Sequence, residues 1–366
     1  MIRTLLTLAS FLTWALVVSQ PVNPTYSFFT AGHTYGNPNS PQYGLYPPFM
    51  NKTGLINGYQ GMAFGCLTGD VVVHSTAEYW DAAQADMEEF SMPLYIAAGN
   101  HDMGPEFVPR FGNYYFQFTL QGDLFITLVP GLGNWNITGE QKDFLVNTLD
   151  SYAGSSNRIF VFLHELIWWS PDSIFQEVVL NYAPNYPGST NFWTEIEPLF
   201  HGLSNPVVFY AGDLGCTTTA TPFMYHAYDN ITLIASGMGG GLQDNFIITD
   251  VFPDTLVYHL IALNGDDINA LGELTAYSLG SQGLDSWQGQ GVTCHPNPFR
   301  ENLYVDHDLK RQATLQLLDW QGIEVTREII HGRGKQLLRT GSLPTGIYFL
   351  RILYDNGVEA RKLVKF

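Results

Sequence analysis

Basic residues are scarce in this chain: 16 lysines and arginines stand against 34 acidic residues, a formal net charge of −18 over 366 residues. A surface of that sign repels a polyanion. It excludes duplex nucleic acid as a partner and leaves small phosphorylated molecules open where a metal neutralises them. Cysteine is scarcer still. Cys66, Cys216 and Cys294 are odd in number, so they cannot all pair, and none has zinc-knuckle spacing. Cys66 reads as a buried thiol inside an apolar strand, with a Cys66–Cys216 bridge as the alternative. Long apolar runs are confined to the first twenty residues, where Arg3, the stretch Leu5 to Val18 and Ser19-Gln20-Pro21 have signal-peptide form. Cleavage before Gln20 assigns residues 1–19 to that signal, or to an anchor if it is retained. No transmembrane span is expected after its removal. With 45% apolar and 14% charged residues, the remainder is globular rather than disordered.

Composition and charge change at "SLGSQGLDSWQGQG", residues 278–291, a Gly-, Ser- and Gln-rich stretch without apolar period that reads as a linker. Residues 292–366 carry 11 of the basic and 8 of the acidic residues, so the tail is +3 and the rest of the chain −21. Before the linker, residues 20–277 alternate strand-like and helix-like runs, the pattern of an α/β domain. Helices are expected from Ala77 to Phe90, from a capping box made by Thr138 and Gln141, and from Ser189 to Phe200. After Ile231 the runs become hairpin-like. Beyond the linker, "LYVDHD", "ATLQLLDW", "GIYFLRILY" and "ARKLVKF" are short alternating runs between turn residues. They predict a small antiparallel sandwich.

Five apolar segments of the first domain end in residues that bind metals. "FFTAGH" ends in His33, "MAFGCLTGD" in Asp70, "PLYIAAGNHD" in Asn100-His101-Asp102, "IFVFLH" in His164 and "VVFYAGD" in Asp213. In an open α/β sheet, ligands bind outside the carboxyl ends of the strands, so residues far apart in sequence can meet there. Imidazole, carboxylate and amide oxygen are all metal-ligand types. Glycine precedes His33, Asp70, Asn100 and Asp213, which lets the backbone turn sharply at each strand end. The loop "TYGNPNSPQYGLYPPF", Thr34 to Phe49, must border the same end, as must Trp168 and Trp169 after His164. These are either a stiff wall for a substrate or ordinary aromatic loop residues. His74, His201, His226 and Glu165 read as solvated side chains rather than ligands.

The motifs Ala31-Gly32-His33, Gly69-Asp70, Gly99-Asn100-His101-Asp102, His164 and Gly212-Asp213-Leu214-Gly215 resemble those of the calcineurin-like metallophosphoesterases, over residues 25–275. The resemblance implies a four-layer α-β-β-α sandwich. In that family one metal is held by an Asp and a His of the first motif, a bridging Asp, and the last His of the final motif. Here that set keeps His33 and Asp70 but has Ala31 and Gly215 in the other two places. The set for the other metal is complete as Asp70, Asn100, His164 and Asp213. The resemblance therefore implies a divalent metal ion, one per chain, as Mn, Fe, Mg or Zn. His33 becomes either a borderline ligand or a hydrogen-bond donor behind the ligands. By the same resemblance His101 steadies the phosphoryl charge or protonates the leaving oxygen, with Asp102 holding its ring. The implied activity is hydrolysis of a phosphate mono- or diester of a small molecule by attack of a metal-bound water. The alternative is a cell-surface binding protein that keeps the fold without catalysis. Ala31 and Gly215 favour it, and the intact "GNHD" opposes it.

The tail carries "PNPF" at Pro296 to Phe299, "LLDWQG" at Leu317 to Gly322, "LPTGIYFLRI" at Leu343 to Ile352 and a final "KLVKF". In order, spacing and position these resemble the C-terminal sorting domain of proteins exported by the type IX secretion route of gram-negative bacteria. The resemblance implies an immunoglobulin-like β-sandwich at residues 292–366, the type IX machinery as partner, and export through the periplasm to the cell surface or medium. An immunoglobulin-like accessory or sugar-binding module is the alternative.

Overall fold

The computed structural model describes residues 23–171, 173–279, 292–295, 299–319, 324–354 and 357–365. The expected signal peptide, residues 280–291 of the expected linker and parts of the tail motifs lie outside the described residues.

Two mixed sheets form the body. The first has the order β11-β10-β1-β2-β3, with β1 (Tyr26–Ala31), β2 (Met62–Leu67) and β3 (Leu94–Ile96) parallel. β10 (Asn245–Val251) and β11 (Leu256–Ala262) join as an antiparallel hairpin on the β1 side. All six residues of β1 are buried, so it reads as an unbroken apolar run instead of an alternation. The second sheet has the order β4-β5-β6-β7-β9-β8. In it β5 (Asp123–Thr127), β6 (Ile159–Phe162), β7 (Val207–Ala211) and β9 (Ile231–Ser236) run parallel. β4 (Phe116–Leu120) and β8 (Phe223–Tyr228) close its two edges antiparallel.

Aromatic rings join the sheets. Phe28 of β1 stacks on Phe64 at 5.0 Å and meets Phe125, Phe160, Phe162 and Tyr210 of the second sheet edge-on at 5.2–5.9 Å. Such tilted ring pairs stabilise beyond the area they bury. The other face of the first sheet packs Phe29 and Phe246 against Trp80 and Ala83 of the helix Ala77–Met87. The other face of the second sheet packs Ile126, Val161 and Phe209 against Leu145 and Leu149 of the helix Gly139–Tyr152. Each helix buries residues three or four apart, one stripe of an amphipathic surface.

The capping box expected at Thr138 and Gln141 does not form, because Thr138 makes no side-chain cap. Gln141 is buried instead, accepting from Val129 N at 2.6 Å and donating to Val129 O at 3.1 Å, which ties the helix to the chain leaving β5. The segment expected as a helix from Ser189 begins later, as a wide turn at Phe192–Ile196 that runs into a helix at Glu197–His201.

In the tail, β13 (Asn302–Asp319) and β14 (Glu324–Arg339) are far longer than the short runs expected. β13 pairs with β12 (Val292–His295), β14 and β15 (Gly346–Tyr354), and β15 pairs with β16 (Gly357–Lys365), all antiparallel. Tyr348, Leu350 and Ile352 are buried at the strand period of two and share a core with Phe299, Leu303, Leu315 and Leu317.

Truncating Phe28 to Ala should lower the unfolding free energy by about 3–5 kcal/mol. The readout is the denaturant midpoint at unchanged slope. A loss below about 1 kcal/mol, the cost of an average substitution, would mean that this ring is not the joint between the sheets.

Candidate metal centre

The carboxyl ends of β1, β2, β3, β6 and β7 meet at one end of the body, and glycines set how closely. A Cβ on Gly32 would run into Gly212 and Ser236 O, one on Gly212 into Thr68 O, and one on Gly69 into the His164 ring. Backbone from one sheet thus touches backbone from the other. The residues after two of these glycines, His33 (φ 58°) and Asp70 (φ 52°), hold left-handed conformations that few side-chain-bearing residues adopt.

Asp70 is the centre of the cluster. Its Oδ2 lies 3.6 Å from His33 Nε2 and its Oδ1 3.3 Å from His164 Nε2. Oδ1 also accepts from His101 N at 3.2 Å. Asp213 Oδ1 lies 3.9 Å from the same His164 nitrogen and accepts from Asn181 Nδ2 at 2.9 Å. Asp70, His33 and His164 are buried.

His164 Nδ1 bonds to Thr68 O at 2.9 Å, and since a carbonyl only accepts, that nitrogen carries the proton. Nε2, left without a hydrogen-bond partner, then directs a lone pair at two carboxylates. Such an arrangement requires a cation, either a proton on the ring or a metal between the groups. The pKa shifts state the same demand. Burial alone would lower the His164 imidazole, but Asp70 and then Asp213 lift it well above its ordinary value. Burial would raise Asp70, and His164, His33 and His101 pull it well below the carboxylate range. Asp213 is pushed up to about 6, chiefly by burial. Burial brings His33 down to about 4, so it is neutral and free to coordinate at pH 7.

Two donor pairs stand near the spacing of neighbours on one divalent cation, His164 with Asp70 at 3.3 Å and His33 with Asp70 at 3.6 Å. Bonds of about 2.1 Å to tetrahedral donors put neighbouring donors about 3.4 Å apart. Among the described residues no three His, Cys, Asp or Glu side chains close on one point. The cluster consists of two donor groups that share Asp70: His33 faces Oδ2, and His164 with Asp213 faces Oδ1. Asn100, the fourth expected donor, follows Gly99 into the same mouth and is exposed.

Ala31 points its methyl into the outer core of the first sheet, and Gly215 has φ +72° with its missing Cβ facing Gly237 O at 2.8 Å. An imidazole at 215 would need both a strained backbone and displaced neighbours. The imidazole lacking at 215 is therefore excluded sterically, and Ala31 supplies no donor.

Asp102 does not hold the His101 ring, as the resemblance implied. Its Oδ1 accepts from Val71 N at 2.8 Å and Val72 N at 3.1 Å, and its Oδ2 from Gly99 N at 2.9 Å. It clamps the Asp70 loop to the Asn100 loop. Val73 O fixes the ring by accepting from His101 Nδ1 at 2.7 Å.

Several neighbours escaped the sequence reading. Tyr35 is buried with its ring 4.3 Å from that of His33 and 5.2 Å from that of His101. Asn181, which orients Asp213, also accepts from Cys216 N at 2.9 Å; it sits on a long loop with no sequence signal. Tyr35, two residues after His33, was open to inspection. Glu165 is buried, not solvated, and burial pushes it up to about 7. Trp168 and Trp169 form no substrate wall: Trp168 is buried against Phe192 and Phe209, and Trp169 donates to Val178 O. None of the three cysteines is in a disulfide, so Cys66 and Cys216 form no bridge.

Residues 293–365 match the family described as the secretion system C-terminal sorting domain. A tail of this kind indicates an exported protein, secreted or held at the cell surface, and implies contact with the type IX machinery. Among the described residues no helix is long and apolar enough to cross a membrane. The body is similar to a purple acid phosphatase from yellow lupin (Lupinus luteus) seeds, at 14% identity and TM-score 0.49. That match covers 66% of this chain and 52% of the lupin chain, so about half of the phosphatase has no counterpart here. A predicted phosphoesterase of Streptococcus pneumoniae is similar at 8% identity and TM-score 0.31, over 65% of this chain and 90% of the other. Chaetomium thermophilum Vps29 is similar at 11% identity and TM-score 0.31, over 86% and 97%. No curated protein matches this chain in sequence. At these TM-scores the structural likenesses bear no weight, and the fold is read from strand order and register.

Replacing Asp102 by Asn turns an acceptor of three backbone N–H groups into a side chain that cannot accept them all. The loss should be about 1–3 kcal/mol of stability, the cost of an unpaired buried donor. Thermal unfolding checks it, and an unchanged midpoint would remove the clamp.

Proposed function

We propose that this protein is an exported, metal-dependent phosphoesterase that hydrolyses a phosphate mono- or diester of a small molecule. The observation that supports this best is His164 Nε2, a buried lone pair facing Asp70 and Asp213 without a partner. In this reading the body, residues 20–277, is a four-layer α-β-β-α sandwich. Residues 1–19 are a signal peptide, 278–291 a linker and 292–366 an immunoglobulin-like sorting domain.

Asp70, His164 and Asp213 would close on one divalent cation, joined by Asn100 from the neighbouring loop. Such a cation polarises a phosphoryl oxygen and makes water acidic enough to act as a nucleophile near neutral pH. The chain's own groups do the rest. Asn181 keeps Asp213 turned toward His164. His101, its Nδ1–H engaged by Val73 O, would as imidazolium pass its Nε2 proton to the leaving oxygen. Tyr35 packs beside it and limits how far the ring can turn.

A second reading, a binding protein without hydrolysis, draws support from Ala31, which carries no donor, and from Gly215, whose neighbours leave no room for an imidazole. Activity separates the two. His101→Ala should cut kcat by about 100-fold or more while bound metal, measured by mass spectrometry, stays near one ion per chain. Asp70→Ala should lose both metal and turnover. Equal rates in wild type and His101→Ala would end the catalytic role.

The tail supplies an independent test. Cells that have the secretion route should release or surface-attach a form lacking roughly residues 292–366, seen by mass spectrometry of the mature protein. An intact Phe366 on most exported molecules would favour an accessory module instead.

A further inference from the structure

A cavity of about 220 Å³ is lined by Gly215, Thr217, Thr218, Gly240, Gln243 and Asp244 among others, none of them a member of the cluster itself. Gly215 is two residues past Asp213. The cavity's two walls are the loops that follow β7 and β9, parallel neighbours paired at Ala211 and Ala235, so both loops emerge where the cluster lies. The walls touch, since a Cβ on Gly240 would run into Thr217 O.

We propose that this cavity is a subsite for the alcohol portion of the ester, receiving a small, uncharged, hydroxyl-bearing group such as a single sugar ring. This rests on the phosphoesterase reading. Size supports it: the volume equals the share of about seven waters at about 30 Å³ each. It falls below the ~300 Å³ at which drug-sized pockets begin. Lining chemistry supports it too. The lining offers hydroxyls from Thr217 and Thr218 and an amide from Gln243, with no Lys, Arg or His to meet a second anionic group and no aromatic ring to stack a base. Asp244 is its only charged residue, in a body of net charge −21. Asp244 is buried and held from within the protein: Oδ1 accepts from Gly241 N at 2.8 Å, and the Tyr46 phenol lies near the carboxylate.

The test uses the full-length protein loaded with divalent metal. Rates on glucose 1-phosphate, methyl phosphate and adenosine 5′-monophosphate are compared for wild type, Thr218→Trp and Gln243→Leu. Thr218 and Gln243 are exposed, so both variants should fold. The sugar phosphate should exceed methyl phosphate in kcat/KM by about 10-fold or more, and each variant should erase that advantage while leaving methyl phosphate unchanged. Saturation-transfer NMR with free glucose reads the cavity without turnover: signal in wild type, lost in Thr218→Trp. Equal rates on the three esters together with no glucose signal, or a preference for the nucleotide, would overturn the subsite. Glucose binding that Thr218→Trp removes, in a protein that turns over no ester, would sustain the subsite as a sugar site and overturn the phosphoesterase reading alone.

Discussion

The contact between Asp70 and the two imidazoles on either side of it governs this structure. One carboxylate from the first sheet reaches His33 on its own sheet and His164 on the other. Because all three are buried, their charges are weakly screened, and His164 Nε2 faces Asp70 without a hydrogen-bond partner. A proton shared between them, or a metal ion, would relieve a contact that otherwise costs stability. The left-handed backbone at His33 and Asp70 is the strain accepted to bring them together, held by the packing around them.

That strain persists because the apolar body is stiff. Phe28 and its ring partners lock the sheets face to face, and Trp80 on one side and Leu145 on the other fasten helices to the outer faces. With the sheets fixed, glycines at 32, 69, 99 and 212 let the strand ends approach until backbone meets backbone. Any side chain there would push the donors apart. Asp102 and Asn181 then fix the loops that carry the cluster, one through backbone N–H groups and one through a single amide.

The tail has its own core and its own charge, and its long paired strands share nothing with the chemistry of the body. That separation suits an element that addresses the protein for export. The acidic body, by contrast, favours cations and disfavours ligands with additional negative charge, which fits both the cluster and a cavity whose lining has no basic residue.

The residue pattern by itself determined the two-part organisation, the α/β character of the first part and the strands whose ends carry His33, Asp70, His164 and Asp213. Apolar runs and turn residues are local signals, and five similar strand ends in one order are a regular pattern. The resemblance to the metallophosphoesterases, not the pattern alone, implied that Ala31 and Gly215 stand where that family has donors. Tertiary structure alone decided which atoms face which. That Asp102 grips backbone while Val73 O holds His101, that Gln141 ties to Val129 instead of capping its helix, and that Glu165, Trp168 and Tyr35 are buried all depend on partners distant in sequence. Asn181 and the Thr217–Asp244 cavity belong to loops whose course no periodicity records. Hydrogen-bond choice among several nearby donors depends on distance and angle, which become defined only when the sheets have packed.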